Sequence, residues 1–133
     1  MARGDSGTVT SGATTTPNKE LVRSYYESQG TEYSRLLAED VELIDWDVGA
    51  PVTGAVTRGR AAYVRNRGNR EFRSEIIRMT EEGNVVIAEG FARGSKKEGG
   101  TWTVHFVDAY EIENGRFKRV STHGVDLKEP AAP

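Results

Sequence analysis

Asn114-Gly115 separates two long extended stretches, and that dipeptide constrains the C-terminal half of this chain more than any other feature. Asn-Gly favours the primed two-residue turns, whose twist matches that of a β-hairpin. Residues 101 to 112 are therefore predicted to pair antiparallel with residues 116 to 127. Upstream, the turn Glu81-Glu82-Gly83-Asn84 separates predicted strands at 71 to 80 and 85 to 93, and a charged loop through Gly100 leads into the hairpin. The outcome is a four-strand meander.

The residues before it have a helical period. Thr16 can cap free amides and Pro17 suits a first turn, and apolar pairs follow at i,i+4 spacing, Leu21 with Tyr25 and Val22 with Tyr26. This predicts a helix over 17 to 29, closed by Gly30. Tyr33, Leu36 and Leu37 form the stripe of a short second helix ending near Glu39-Asp40, and a strand is predicted over 41 to 48. The Gly/Pro-rich stretch 49 to 54 leads into a third helix carrying Ala61, Ala62, Tyr63 and Val64 and stopped by Gly68. Helices followed by strands argue an α+β domain, with three helices covering one face of a curved antiparallel sheet. Residues 1 to 16, rich in Gly, Ser, Thr and Ala, are expected to be a disordered leader, 17 to 127 the domain, and 128 to 133 a C-terminal tail.

Composition removes several functions. A chain of 133 residues holds one domain of this kind, and the absence of Cys excludes disulfides, thiolate metal sites and a cysteine nucleophile. A net charge of −2 gives no general attraction to nucleic acid. No apolar run approaches the roughly 18 residues that cross a bilayer, so no membrane role is expected, and without a signal-peptide core the expected compartment is cytoplasmic.

Two strands carry carboxylates where apolar residues belong. With a period of two, Asp108 shares a face with Trp102, Val104, Phe106, Tyr110 and Ile112. An ionised, unpaired carboxylate there costs several kcal/mol, roughly, so Asp108 is expected to be paired, hydrogen-bonded, protonated or facing a cavity. In the strand 41 to 48, Asp45 and Asp47 share a face with Val41 and Leu43, which places Asp45 inward and Asp47 near the solvated loop at Gly49. Two acids in unlike environments can be driven apart in pKa, one serving as base and one as neutral hydrogen-bond donor. Glu89 shares a face with Val85, Ile87 and Phe91 and is a third candidate acid. His105 falls opposite the Asp108 face, and His123, on a poorly alternating strand, is a secondary candidate. Neither His has helical metal-site spacing, and no metal is expected.

The order helix-helix-strand-helix-meander, the segment from Asp40 through Asp45 to Gly54, and the segment Phe106-Val-Asp108-Ala-Tyr-Glu-Ile-Glu-Asn-Gly115 resemble the NTF2-like superfamily, in particular its ketosteroid isomerase and SnoaL-like polyketide cyclase branch. The resemblance spans about residues 17 to 127. It implies a cone-shaped α+β barrel around a deep apolar pocket and no cofactor. It places Asp45 at the position of the isomerases' carboxylate base and Asp108 at that of their protonated oxyanion-hole acid. Those isomerases add a Tyr hydroxyl from the first helix; the comparable position here falls near Arg23, with Tyr26 one turn on. Epoxide-opening cyclases of the superfamily add an acid after the third helix, where Glu71 and Glu75 both fall. The Asp-Arg-Asp set of the limonene epoxide hydrolase branch is missing from the strand at Val85.

The expected function is a cofactor-independent acid–base enzyme for a hydrophobic polyketide-like or polycyclic compound, acting by isomerisation, cyclisation or epoxide opening. Asp45 and Asp108 are the expected catalytic pair, and Trp46, Trp102, Phe106 and Tyr110 the pocket walls. The alternative is a non-catalytic binding or assembly module of the same fold. Expected partners are a hydrophobic small molecule and a second copy of the chain. An acidic carrier protein could use the seven arginines from Arg58 to Arg78.

Overall fold

A computed structural model describes residues 15–128. They form helix α1 (Pro17–Glu27), a 3-10 turn (Glu32–Leu36), strands β1 (Leu37–Trp46) and β2 (Ala55–Arg58), helix α2 (Arg60–Arg67), and strands β3 (Arg73–Glu82), β4 (Val85–Ser95), β5 (Thr101–Glu113) and β6 (Arg116–Leu127). The strands make one sheet in the order β2-β1-β6-β5-β4-β3. The helices lie over its concave face, and Val22, Tyr25, Tyr33, Leu43, Tyr63, Val86, Tyr110 and Phe117 fill the core between them.

The meander follows the turn signals. Asn114 and Gly115 both adopt positive φ, and β5 and β6 pair antiparallel from Glu113↔Arg116 outward. Val104, Phe106, Asp108, Tyr110 and Ile112 all point to the concave side, as their period requires; Phe106, Asp108, Tyr110 and Ile112 are buried. Of the expected leader only Thr15 and Thr16 fall among the described residues. Thr16 Oγ1 accepts the Lys19 N–H at 3.1 Å as the cap of α1, and its hydroxyl donates to Glu81 on β3. Of the expected tail only Lys128 is described.

Four expectations need correction. There are two α-helices, not three: Tyr33 and Leu36 pack on a single 3-10 turn, and Leu37 already begins β1, captured by pairing with Phe117. A strand that the sequence pattern does not announce, β2, pairs antiparallel with β1 at Glu42↔Arg58 through Asp45↔Ala55. Its four residues are too few to show alternation. The sheet is mixed, because β1 runs parallel to β6. On β4 the face is reversed: Val86, Ala88, Gly90 and Ala92 are buried, while Ile87, Glu89 and Phe91 lie on the convex side. Small residues face inward because the concave side must leave room for the helices and a cavity. No described helix is long and apolar enough to cross a membrane.

Candidate active site

The concave face encloses a cavity of about 260 Å³. Helix α1 supplies Tyr25 and Tyr26. Helix α2 supplies Tyr63 and Arg67, four residues apart and so on one face. From β5 come Phe106, Asp108 and Tyr110, from β6 Val120 and Thr122, and from the segment that opens β3 come Arg70, Phe72 and Ser74. The side wall is aromatic: the Tyr26 ring stacks on Phe106 with centroids 5.1 Å apart.

Asp108 is the polar centre. Its residue is 8% exposed. Tyr26 Oη donates to Oδ2 at 2.6 Å, Thr122 Oγ1 donates to Oδ1 at 2.5 Å, and Tyr110 Oη donates to Tyr26 Oη at 2.8 Å while lying 3.3 Å from Oδ2. Burial raises the Asp108 pKa above the usual carboxyl value, against hydrogen bonds from Thr122 and Tyr26 that favour the charged form. Burial also lifts Tyr26 and Tyr110 well above ordinary phenols, with the nearby Asp108 adding to the effect. Beside this set, Tyr25 and Tyr63 share a hydroxyl–hydroxyl hydrogen bond of 2.7 Å, and burial pushes Tyr25 up to about 12. Burial raises Tyr63 as well, so all four phenols keep their protons at neutral pH; Tyr26 and Tyr110 donate, and either of Tyr25 and Tyr63 can donate to the other.

Asp45 stands in the same row of the sheet. It lies opposite Thr122, and Thr122 lies opposite Asp108, so the backbones of the two acids are two strand spacings apart, roughly 10 Å. Asp45 is not in the cavity lining. Its Oδ1 is 2.6 Å from Arg67 Nη2, with the side chains 18% and 32% exposed, and it is the Arg67 guanidinium that reaches the cavity. Burial works against the charge of Arg67, but the Asp45 contact outweighs it and holds the Arg67 pKa above its ordinary value.

The remaining expected residues separate. Tyr26, Trp102, Phe106 and Tyr110 line the cavity. Trp46 does not: it lies on the other side of β1, stacked on His123 at 5.8 Å and donating its indole N–H to Ser121 Oγ at 2.8 Å. His123 is exposed on that convex side. Glu89 is also convex, held by His105 at 2.8 Å and Arg78 at 2.9 Å. Glu75 is exposed and paired with Arg93 at 2.8 Å, and Glu71 is exposed at the rim of a surface groove. Of the arginines from Arg58 to Arg78, Arg58 pairs with Glu42, Arg60 bonds the Leu37 carbonyl, Arg78 pairs with Glu89, and Arg67 and Arg70 turn into the cavity. Among the described residues, no group of three or more His, Asp or Glu is placed to hold a metal ion.

Sequence reasoning assigns no role to Thr122, and it takes Arg67 and Arg70 only as members of the arginine run, not as cavity residues. A signal for Arg67 exists, its i,i+4 spacing from Tyr63. Thr122 shows none, because β6 alternates poorly and its facing Asp108 is visible only once the register is known.

Residues 20–120 match the SnoaL-like domain. The chain belongs to that family. Among solved structures, a candidate SnoaL-like polyketide cyclase from Jannaschia is 14% identical with a TM-score of 0.69, over 89% of this chain and 91% of that one. A phenazine biosynthesis-related protein from Pseudomonas aeruginosa is 20% identical with a TM-score of 0.64, over 82% and 75%. A candidate ketosteroid isomerase from Kribbella flavida is 22% identical with a TM-score of 0.62, over 88% and 84%. At these identities the likeness establishes the NTF2-like fold. No curated protein matches the sequence.

Proposed function

We propose that this SnoaL-like chain is a cofactor-independent acid–base enzyme that isomerises, cyclises or ring-opens an oxygenated hydrophobic small molecule. The observation that carries this reading is a buried carboxyl with a raised pKa, Asp108, set among tyrosine hydroxyls in an apolar cavity. A protonated Asp108 is one donor, and Tyr26 becomes a second when its hydroxyl turns from Asp108 Oδ2 to a ligand oxygen. A carbonyl oxygen held there would be stabilised as negative charge develops on it, in surroundings where water does not compete. An apolar cavity of about 150 Å³ holds one benzene ring, so this one encloses one or two fused rings. Larger polycyclic substrates would have to extend beyond it.

Asp45 is the proposed base. For that role the Arg67 guanidinium must move aside when substrate enters, because it occupies Asp45 Oδ1 at 2.6 Å. Arg67 stands at the last position of α2, beside the capping Gly68 at φ +66°. The Asp45–Arg67 pair also favours a second reading, a binding module without turnover, in which the pair simply fastens α2 to β1.

Exchange of α-protons decides between them. 2-Tetralone, a two-ring ketone, would be incubated with protein in D2O and its α-proton signal followed by NMR. The enzyme reading expects catalysed loss of that signal, slowed about 10²–10⁴-fold by Asp45→Asn and at least about tenfold by Asp108→Asn, because an amide is a weaker donor to an oxyanion. Binding of the ketone without exchange above buffer overturns the isomerase and cyclase readings in favour of the binding module, and failure to hydrolyse 1,2-epoxytetralin as well overturns ring opening.

A further inference from the structure

Arg70 is the only buried cation among the described residues, at 7% exposure, and its position is fixed independently of any ligand. Its backbone bridges Gly30 in both directions, with N–H to carbonyl distances of 2.8 and 2.9 Å. Its side chain runs under the C-terminal end of α1. Nε donates to the Ser28 carbonyl at 3.2 Å, and Nη2 donates to the Tyr26 carbonyl and to Ser74 Oγ, both at 3.0 Å. A guanidinium carries five N–H donors. The two on Nη1 have no acceptor among the described residues, and Arg70 is part of the cavity lining.

The neighbours do not balance its charge. Arg70 makes no ion pair among the described residues, whereas Arg67, the other cation of the lining, is matched by Asp45. The helix C-terminus above it offers about half a negative charge. The faces of Phe72, 4.4 Å from the guanidinium carbon, and Tyr25, at 5.5 Å, offer a quadrupole but no charge. Asp108 spends its hydrogen bonds on Tyr26, Thr122 and Tyr110, not on Arg70. A half-compensated cation with unused donors in an otherwise apolar cavity calls for an anion. With Nε and Nη2 engaged, the Nη1 N–H groups are the end left for it, and a carboxylate can present one of its charged oxygens there.

We infer that the cavity selects a hydrophobic carboxylate, a one- or two-ring compound whose carboxylate is met by the Nη1 end of Arg70 while an oxygen function elsewhere on the ring system reaches Asp108 and Tyr26. This rests on the proposed reading of the cavity as the substrate site and names the substrate class for it. Arg70 is here a specificity residue; it takes no part in the proton transfer.

The test compares 2-naphthoate with 2-naphthamide and methyl 2-naphthoate by calorimetry at pH 7. Wild type is expected to bind the acid at least tenfold more tightly than either neutral analogue. Arg70→Met is expected to bring the three within about twofold while keeping affinity for the amide, and Arg70→Lys to retain part of the preference. Because loss of the α1 contacts could unfold the Met variant, a second measurement uses wild type alone: carboxyl-labelled naphthoate titrated by NMR in the bound state, whose pKa is expected to fall below that of the free acid. Neutral analogues binding as tightly as the acid, or a bound pKa above the free one, overturn the inference. If the naphthyl compounds fail to bind while 2-tetralone exchange proceeds, the inference falls and the enzyme reading stands. If no probe binds or reacts, both fall.

Discussion

A carboxyl whose pKa is raised by burial folds more readily with its proton on. For Asp108 the raised value in the folded state lies above the unfolded one near 3.8. Its favourable contribution is therefore complete below the unfolded pKa and is lost as pH rises through the folded pKa, about 1.4 kcal/mol for every tenfold difference in proton affinity between the two states. Asp40, Glu42 and Glu89 have lowered values, set by their basic partners, and act in the opposite sense, losing stability as pH falls. They are common to wild type and Asp108→Asn, so they cancel in the difference. Urea denaturation at pH 4, 6 and 8 should show the Asn variant gaining on wild type as pH rises. A constant deficit at every pH would mean that the amide merely lost hydrogen bonds from Tyr26 and Thr122. This residue is legible in the sequence because one charged side chain breaks a long apolar alternation. Its partners are less so: Tyr26 sits 82 positions away in the chain, and nothing in a helical stripe says which tyrosine will meet which carboxyl.

Strand β4 shows why faces are harder to read than strands. Its large apolar residues, Ile87 and Phe91, lie on the convex side, and its small ones face in, so weighting by hydrophobicity selects the wrong side and moves Glu89 with it. Gly90 is the extreme case. A Cβ there would stand 2.2 Å from the Glu75 carbonyl oxygen and 2.9 Å from Phe106 Cζ, next to the register shift of β3 between Ile76 and Arg78. The backbone of a paired strand cannot retreat as a side-chain tip can. Gly90→Ala should cost about 1–3 kcal/mol, lowering the melting temperature by roughly 5–15 °C, with the Phe106 signals among those most shifted in an NMR spectrum. An unchanged melting temperature would show that β3 can move outward without penalty. The 3-10 turn escapes a sequence reading for a related reason: Tyr33 and Leu36 fit either kind of turn locally, and the pairing of Leu37 with Phe117 decides between them.

On the molecular scale the convex side of the sheet is left without helices. Ile77, Ile87, Val107 and Val125 lie there at 45%, 45%, 38% and 60% exposure, bordered by the pairs Arg78–Glu89 and Arg93–Glu75. An apolar centre with a charged rim is the composition of a protein interface. We expect a homodimer through this face, with light scattering at micromolar concentration giving twice the 14.6 kDa of the chain, and Val107→Lys giving monomer. A wild-type monomer would rule the dimer out. The α+β architecture and the meander can be read from period and turns, since both are local. The parallel partner of β1 cannot, because it depends on where the two ends of the chain meet. That meeting gives the sheet a schedule. β1 leaves the ribosome early, but on the side away from β2 its only neighbour is β6. At about 5–20 residues per second, Val41 and Leu43 wait roughly 4–15 s for Val120 to be synthesised. Until β6 is made, that edge of β1 has no strand partner, so the pairing that anchors Leu43 comes late in synthesis.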